Sequence, residues 1–391
     1  MTTLTVTELD EILAYCDELY KDLSLDYVTE WKRKHDSKAI GYLPVYVPRE
    51  LIYAAGMLPV GIMGGGDQLE IIKGDAYFQS YICHLPRSTV EMGLSGRLDA
   101  LDGMMFPAIC DVIRNLSGIW KLMFKDKESF YVDYPQNFDP EIGGAFYKGE
   151  LEYMGGRLAN ISGRTITDEA LSEAIELYNH NRKLVKACYR LRSDKPWVLP
   201  TTELYLLLRA GNILDVREHN DMLTRYLQLA EDREAFLRDN SRIVLTGSFC
   251  EQPPLGLIRS LERAGCYIVD DDFVLGSRWI IGDISPHGDL FENLSTAFLT
   301  DTMAGAFKYQ PQDKGQQLLD SFRDNKADGV IFCAPSFCDP ALLDRPMLLR
   351  FLDQHKVPYT SFKYAENTGQ FQIIREQAGT FADSIKLWGE V

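Results

Sequence analysis

The chain has 391 residues and a mass of 44.5 kDa, long for one hydrophobic core, so two α/β lobes with helical connectors are the natural reading. Hydrophobic residues at 46% and aromatics at 11% suffice to fill both cores, and a formal net charge of -16 excludes a nucleic-acid-binding surface, which needs clustered Lys and Arg. No apolar run reaches the roughly 18 to 20 residues of a bilayer span, and the polar, acidic N-terminus carries no export signal; a soluble cytoplasmic protein with no membrane partner is expected.

In chain order, Glu8 to Asp22 carries Leu9, Ile12, Leu13, Cys16 and Leu19 at helical spacing, which makes Cys16 one more apolar residue on a packed face. A second helical piece covers Val28 to Lys34. Pro48 to Gly56 has Pro at the start and Gly just past the end of a third helix. Leu58 to Ile62 reads as a first strand. Gly64-Gly65-Gly66 follows as a loop that either turns permissively or lets another group approach the backbone. Cys83-His84 then precedes a helix signalled by Ser88 and Thr89.

Gly103 to Phe106 is a strand delivering Cys110, Asp111 to Phe124 a helix, and Phe130 to Val132 a strand. Residues 140–193 are mostly helical, with Thr167 as N-cap and Cys188 in a packing role. Helices over Thr202 to Arg209 and Arg217 to Arg238 lead to a second βαβ run. It comprises strand Arg242 to Gly247, helix Leu255 to Ala264, strand Cys266 to Val269 ending in Asp270-Asp-Asp272, and helix Gln316 to Asn325. Strand Gly329 to Phe332, helix Pro346 to His355 and strand Tyr359 to Phe362 complete it. The fold class is α/β: two flavodoxin-like or Rossmann-like parallel-sheet lobes. The domain ranges are 1–57 (N-terminal helical segment), 58–165 (first lobe), 166–240 (helical connector) and 241–391 (second lobe).

The chain repeats itself. Asp102-Gly-Met-Met-Phe-Pro-Ala-Ile-Cys110-Asp111 returns as Asp328-Gly-Val-Ile-Phe-Cys-Ala-Pro-Ser-Phe-Cys338-Asp339. Each copy delivers a Cys-Asp at the C-terminal edge of a strand, where open α/β sheets bind ligands. Matching the Asp-Gly pairs sets Cys333 opposite Pro107 and favours Cys338 as the counterpart of Cys110. Cys83, Cys110 and Cys338 all stand ahead of helices, where the dipole and unpaired amides favour the thiolate, the form that binds metal. Two come from the first lobe and one from the second, so a cleft between lobes brings them together. Their spacing matches neither a zinc ribbon nor a ferredoxin run. It leaves an iron-sulfur cluster, a zinc site or buried inert thiols open. Cys250, past the strand ending at Gly247, is a candidate fourth ligand, and His84 a candidate proton donor or structural residue. No nucleotide loop Gly-x-x-x-x-Gly-Lys-Ser/Thr, Gly-x-Ser-x-Gly elbow or His-Glu-x-x-His is present.

Taken together, Pro48-Arg-Glu-Leu-Ile-Tyr-Ala-Ala-Gly56, Ser80-Tyr-Ile-Cys83, Phe106-Pro-Ala-Ile-Cys110-Asp and Phe337-Cys338-Asp-Pro340 resemble the benzoyl-CoA reductase and 2-hydroxyacyl-CoA dehydratase family along the whole chain. Gly64 to Glu70, Gly74 to Cys83 and Ser248 to Gly256 look most like the smaller, cluster-bearing gamma subunits of its ATP-dependent reductases. The resemblance implies a [4Fe-4S] cluster held by Cys83, Cys110 and Cys338, the fourth position open or filled by a group such as Cys250. It implies a heterotetramer with a larger homologous cluster-bearing subunit and two ATPase subunits, which alone bind ATP and Mg, and ferredoxin as electron donor. The implied reaction is dearomatisation of benzoyl-CoA to a cyclohexadienoyl-CoA. A lyase subunit dehydrating a 2-hydroxyacyl-CoA, or a cluster-bearing scaffold and electron relay, are the alternatives. Arg375 and the Arg49-Glu50 pair match the family's closing and early motifs as site-shaping residues, with salt bridges as the alternative role.

Overall fold

The computed structural model describes residues 7–43, 45–249, 251–272, 278–302, 314–365 and 371–388. Two helices open the chain, α1 (Glu8–Lys21) and α2 (Asp26–His35). The first begins in a capping box, in which Thr7 Oγ1 accepts from the Asp10 amide and the Asp10 carboxylate accepts from the Thr7 amide. There follow β1 (Ala39–Tyr42), α3 (Arg49–Ala54), β2 (Leu58–Gly61), α4 (His84–Leu94), β3 (Gly103–Pro107), α5 (Asp111–Met123) and β4 (Glu128–Val132). Long helices α6 (Pro140–Ser162) and α7 (Asp168–Asp194) and shorter α8 (Thr201–Ala210) and α9 (Val216–Glu231) lead to the second lobe. That lobe is β5 (Ser241–Thr246), α10 (Leu255–Arg263), β6 (Cys266–Asp271), α11 (Leu290–Thr300), α12 (Lys314–Asp324), β7 (Gly329–Pro335), α13 (Asp339–Gln354), β8 (Tyr359–Tyr364) and α14 (Phe371–Trp388).

The strands form two four-stranded parallel sheets, ordered β2-β1-β3-β4 and β6-β5-β7-β8. The α/β class holds, and the two orders are topologically identical. Each starts at an inner strand, adds one neighbour on one side and then crosses to the other. The order therefore reverses between β1 and β3 in the first sheet and between β5 and β7 in the second. Ligands of such sheets bind outside the strand ends at these switch points.

The first sheet corrects one expectation. Ala39–Tyr42, inside the range read as an N-terminal helical segment, is a fully buried inner strand, and Leu58–Gly61 is its neighbour rather than the first strand. Four residues with a single β-branched side chain are too short to show a strand pattern.

Packing also crosses the ranges drawn from the sequence. Helix α11 lies on α6, and its Leu290, Leu294 and Phe298 join the core of the first sheet. Helix α1 packs on α8 and α9, whose buried residues share a core with β5 to β8. Among the described residues, no helix is long and apolar enough to cross a membrane.

The internal repeat has a structural cause. Asp102 Oδ2 accepts from the Ala39 amide at 2.9 Å, at the start of the inner strand β1, and Asp328 Oδ2 accepts from the Arg242 amide at 2.7 Å, at the start of β5. The Asp102 and Asp328 amides return bonds to the Ala39 and Arg242 carbonyls. Each Asp thus pins the crossing strand to the inner strand at its N-terminal end. After each Asp the chain leaves little room for a Cβ: one built at Gly103 would meet Glu128 at 3.1 Å, and one at Gly329 would meet the Phe381 ring at 2.7 Å.

Candidate cysteine site between the lobes

At the far ends of those strands the two copies match again. β3 ends at Pro107 and β7 at Pro335, and each is followed by two residues and then a cysteine. Pro335, rather than Cys333, therefore stands opposite Pro107, because β7 is two residues longer. Cys333 is an inward residue of β7 with 1% exposure, which leaves Cys338 as the counterpart of Cys110. Between Pro335 and Cys338 the chain turns sharply. Ser336 donates to the Tyr364 carbonyl at 2.6 Å and Phe337 adopts φ +65°, a conformation a bulky L-residue rarely takes.

Cys83, Cys110 and Cys338 are the N-cap residues of α4, α5 and α13. Cys83 and Cys338 are buried and Cys110 is partly exposed. The thiols lie near enough to act on one another's charge: Cys338 and Cys110 both raise the pKa of Cys83, and Cys338 raises that of Cys110. The structure thus brings the three together, two from the first lobe and one from the second.

The acidity of Cys83 and of Cys110 runs against expectation. Burial, then the charge of Glu251 and of the other two thiols, pushes Cys83 well above an ordinary thiol. Cys110 is pushed up to about 11 by burial, with the amides of Ile113 and Val112 pulling the other way. The helix N-terminus therefore acts on Cys110 in the expected direction, but desolvation outweighs it. Among the described residues, no group of three or more His, Cys, Asp or Glu side chains is arranged to hold a single metal ion.

The neighbouring candidates divide. His84 opens α4; burial lowers its imidazole to about 4, so the ring is neutral near pH 7. Cys250 lies outside the described residues. Arg375 is exposed on α14, a helix whose other face packs on α10 and the second sheet. Glu50, almost fully buried, pairs with Arg182 at 2.8 Å, and Arg49 lies over the Tyr178 ring at 4.8 Å. The early motif thereby ties α3 to α7. The glycine loop packs against α4: Gly64 has φ +73°, a Cβ there would stand 2.5 Å from Ser88 Oγ, and the Gly65 amide donates to that hydroxyl at 3.3 Å. Its closest approach is thus to the helix that carries Cys83.

On the β5–α10 loop, Glu251 carries a contact that its segment's resemblance did not assign. Glu251, 2% exposed, reaches from the second lobe to the first, where its Oε2 accepts from the His84 amide at 3.0 Å and the Leu85 amide at 3.3 Å. Burial raises its carboxyl to about 7, against the pull of those amides and of Arg87. Its own carbonyl accepts from Tyr364 Oη at 3.0 Å. The one signal was an acidic residue at a strand's C-terminal edge, just before Pro253-Pro254.

The acidic run at the end of β6 is also committed. Asp271 accepts from buried Arg192 and from Tyr189, and Asp272 accepts from Thr246 Oγ1 at 2.7 Å and the Gly247 amide at 2.9 Å. Asp271, Asp272, Thr246 and Gly247 border a cavity of about 130 Å³ at the second switch point, also lined by Lys314, Phe332 and Ala341.

Residues 44–385 match the family described as 2-hydroxyglutaryl-CoA dehydratase, D-component. Over 97% of this chain and 99% of the relative, the sequence is 58% identical to a benzoyl-CoA reductase subunit of Thauera aromatica. It is 29% identical to the beta subunit of (R)-phenyllactyl-CoA dehydratase of Clostridium sporogenes, over 92% of this chain and 95% of that one. The figure is 28% for the beta subunit of (R)-2-hydroxyglutaryl-CoA dehydratase of Acidaminococcus fermentans, over 89% and 92%.

Proposed function

The chain belongs to the 2-hydroxyglutaryl-CoA dehydratase D-component family, and from that premise we propose that it is an oxidoreductase subunit acting on the aromatic ring of benzoyl-CoA. The observation that carries the reading is the 58% identity to a benzoyl-CoA reductase subunit over nearly both chains, about twice the identity to the dehydratase subunits.

Cys83, Cys110 and Cys338 are the residues that would hold a [4Fe-4S] cluster, with Cys250 the candidate for the fourth position. The donor set fits such a group. Cys83 and Cys110 are poorly solvated and raised by burial and by the charge of the neighbouring thiols; a cationic iron core would offset that repulsion and favour their thiolates. When bound, such a cluster supplies one-electron transfer at low potential.

The chain's own residues bury and orient. Phe106, Ile109, Phe249 and Phe332 are buried in the same hydrophobic core as Cys338. His84, neutral near pH 7, is a hydrogen-bonding group at the site rather than an imidazolium donor. Electron input is assigned to partners: a larger homologous subunit, and two ATPase subunits that bind ATP and Mg and accept electrons from ferredoxin.

The complete complex, given benzoyl-CoA, ATP and a reduced low-potential donor, is expected to form a cyclic dienoyl-CoA. No such product, together with dehydration of a 2-hydroxyacyl-CoA, would overturn the reading in favour of the lyase. Cys83→Ala, Cys110→Ala and Cys338→Ala are each expected to lose iron and the broad visible absorbance of an iron-sulfur protein. Full iron in all three would remove the ligand assignment.

A further inference from the structure

The two first-lobe cysteines occupy the same position, the N-cap of a helix, yet their sulphurs meet different surroundings. At α5 the Val112 and Ile113 amides act on the Cys110 sulphur and favour its thiolate, although neither closes a regular capping bond. At α4 the counterpart of Ile113 is Pro86, which has no amide, and the Leu85 amide, counterpart of Val112, is already bound. The first two amides of α4, those of His84 and Leu85, are taken instead by Glu251 Oε2. Glu251 is 167 positions away from His84, arrives from the other lobe and is 2% exposed. It is also the largest charged influence on Cys83.

We propose that Glu251 is a positioning residue that locks the β5–α10 loop onto the Cys83 end of α4 and withholds the helix amides from the Cys83 sulphur. This deepens the cluster reading and rests on it. An N-terminal helix amide is the nearest available donor to a thiolate N-cap. Hydrogen bonds to cluster sulphurs raise a reduction potential, and a nearby negative charge lowers it. Glu251 works in one direction on both counts. It takes the Leu85 amide, counterpart of the Val112 amide at Cys110, and places an acidic side chain beside Cys83, so its effect is to hold the potential down, as a reductant of an aromatic ring requires.

Capping alone would also seat a carboxylate at a helix start, and the protein contains such a case. Glu262 of α10 accepts from the Thr202 amide at 3.2 Å and Thr202 Oγ1 at 2.9 Å, at the start of α8, with no thiol N-cap there. It is the internal control.

The test uses the whole complex with Glu251→Gln, Glu251→Ala and Glu262→Gln, reading iron per chain and the midpoint potential followed by EPR. Glu251→Gln keeps the side-chain volume and an acceptor oxygen but no charge, whereas Glu251→Ala also releases the two amides. Iron is expected to stay bound, with the potential shifted positive in Glu251→Gln, shifted further in Glu251→Ala and unchanged in Glu262→Gln. Potentials equal to the parent's in both Glu251 variants, or an equal shift in Glu262→Gln, would overturn the proposal. If Glu251→Ala does not fold, the isosteric Glu251→Gln decides alone. A parent complex without iron sinks the cluster reading itself, and so is distinguished from failure of the Glu251 assignment.

Discussion

His219 on α9 sets a stability prediction whose size follows from its surroundings. The ring is buried, its Nε2–H donates to the Leu207 carbonyl at 3.0 Å, and its Nδ1 accepts from Asn181 Nδ2 at 2.8 Å. The Asn181 amide is oriented by a second bond from the same nitrogen to Asn220 Oδ1 at 2.8 Å, so it cannot turn an oxygen toward a protonated ring without losing that bond. Burial accordingly lowers the imidazole from 6.5 to about 4. Folding therefore binds fewer protons at this site than the unfolded chain does. The contribution is complete above about pH 6.5 and is lost as pH falls from there toward about 4. At about 1.4 kcal/mol per pKa unit, the loss from His219 between about pH 7.5 and about pH 5 is about 2 kcal/mol, and below pH 4 about 3 kcal/mol. Denaturant unfolding of the parent and of His219→Phe at both pH values isolates the term. The variant is less stable at neutral pH, but its stability falls less on acidification, by that about 2 kcal/mol. Equal pH slopes for the two proteins would show that the fold accommodates the imidazolium and would refute the reasoning.

Two further outcomes follow from close packing. Gly64→Ala forces a left-handed residue against Ser88 Oγ on the helix carrying Cys83; the conformational term alone costs about 1–2 kcal/mol, and a lowered thermal midpoint is expected, an unchanged one showing that the loop moves freely. Glu50→Ala strands Arg182, which among the described residues keeps Asn179 as its hydrogen-bond partner, in a buried site. The expected loss is about 3–5 kcal/mol by denaturant unfolding, and a loss under about 1 kcal/mol would mean that water reaches the guanidinium.

What was legible in the sequence was what local chemistry dictates. β3 and β7 announce themselves because an Asp-Gly pair opens a continuous apolar run, and the helix after Cys110 follows from its spacing. β1 was hidden by its shortness. The start of α13 was hidden by prolines: Pro340 sits in its first turn, where a missing amide costs nothing, and Pro346 lies inside it, so the expected start at Pro346 falls seven residues late. α9 ends at Glu231 rather than near Arg238. The expectation of acidic thiols failed at Cys83 and Cys110 because the dipole is readable from sequence while burial is not. Glu251 was invisible for a related reason, since its partners lie in the other lobe.

The asymmetry of the site follows from the repeat and limits it. Duplication explains Cys110 and Cys338, each separated by two residues from the strand that an Asp pins to the inner strand of its sheet. It does not explain Cys83, which follows the loop after the edge strand β2. The corresponding edge strand of the second sheet, β6, ends in aspartates bound to Arg192, Tyr189 and the Thr246–Gly247 backbone, a set that braces the sheet. The third thiol is thus the first lobe's own addition, and no repeat contact fixes it relative to Cys338. Something must, because the two lobes meet there and the glycine loop at Ser88 holds α4 from its own side. Glu251 is the group that crosses that gap at the Cys83 end, and it leaves the strand adjoining the second switch point to do so. The β5 loop, which in a lone lobe would face the ligand crevice, is here spent on orienting the neighbouring lobe's cysteine.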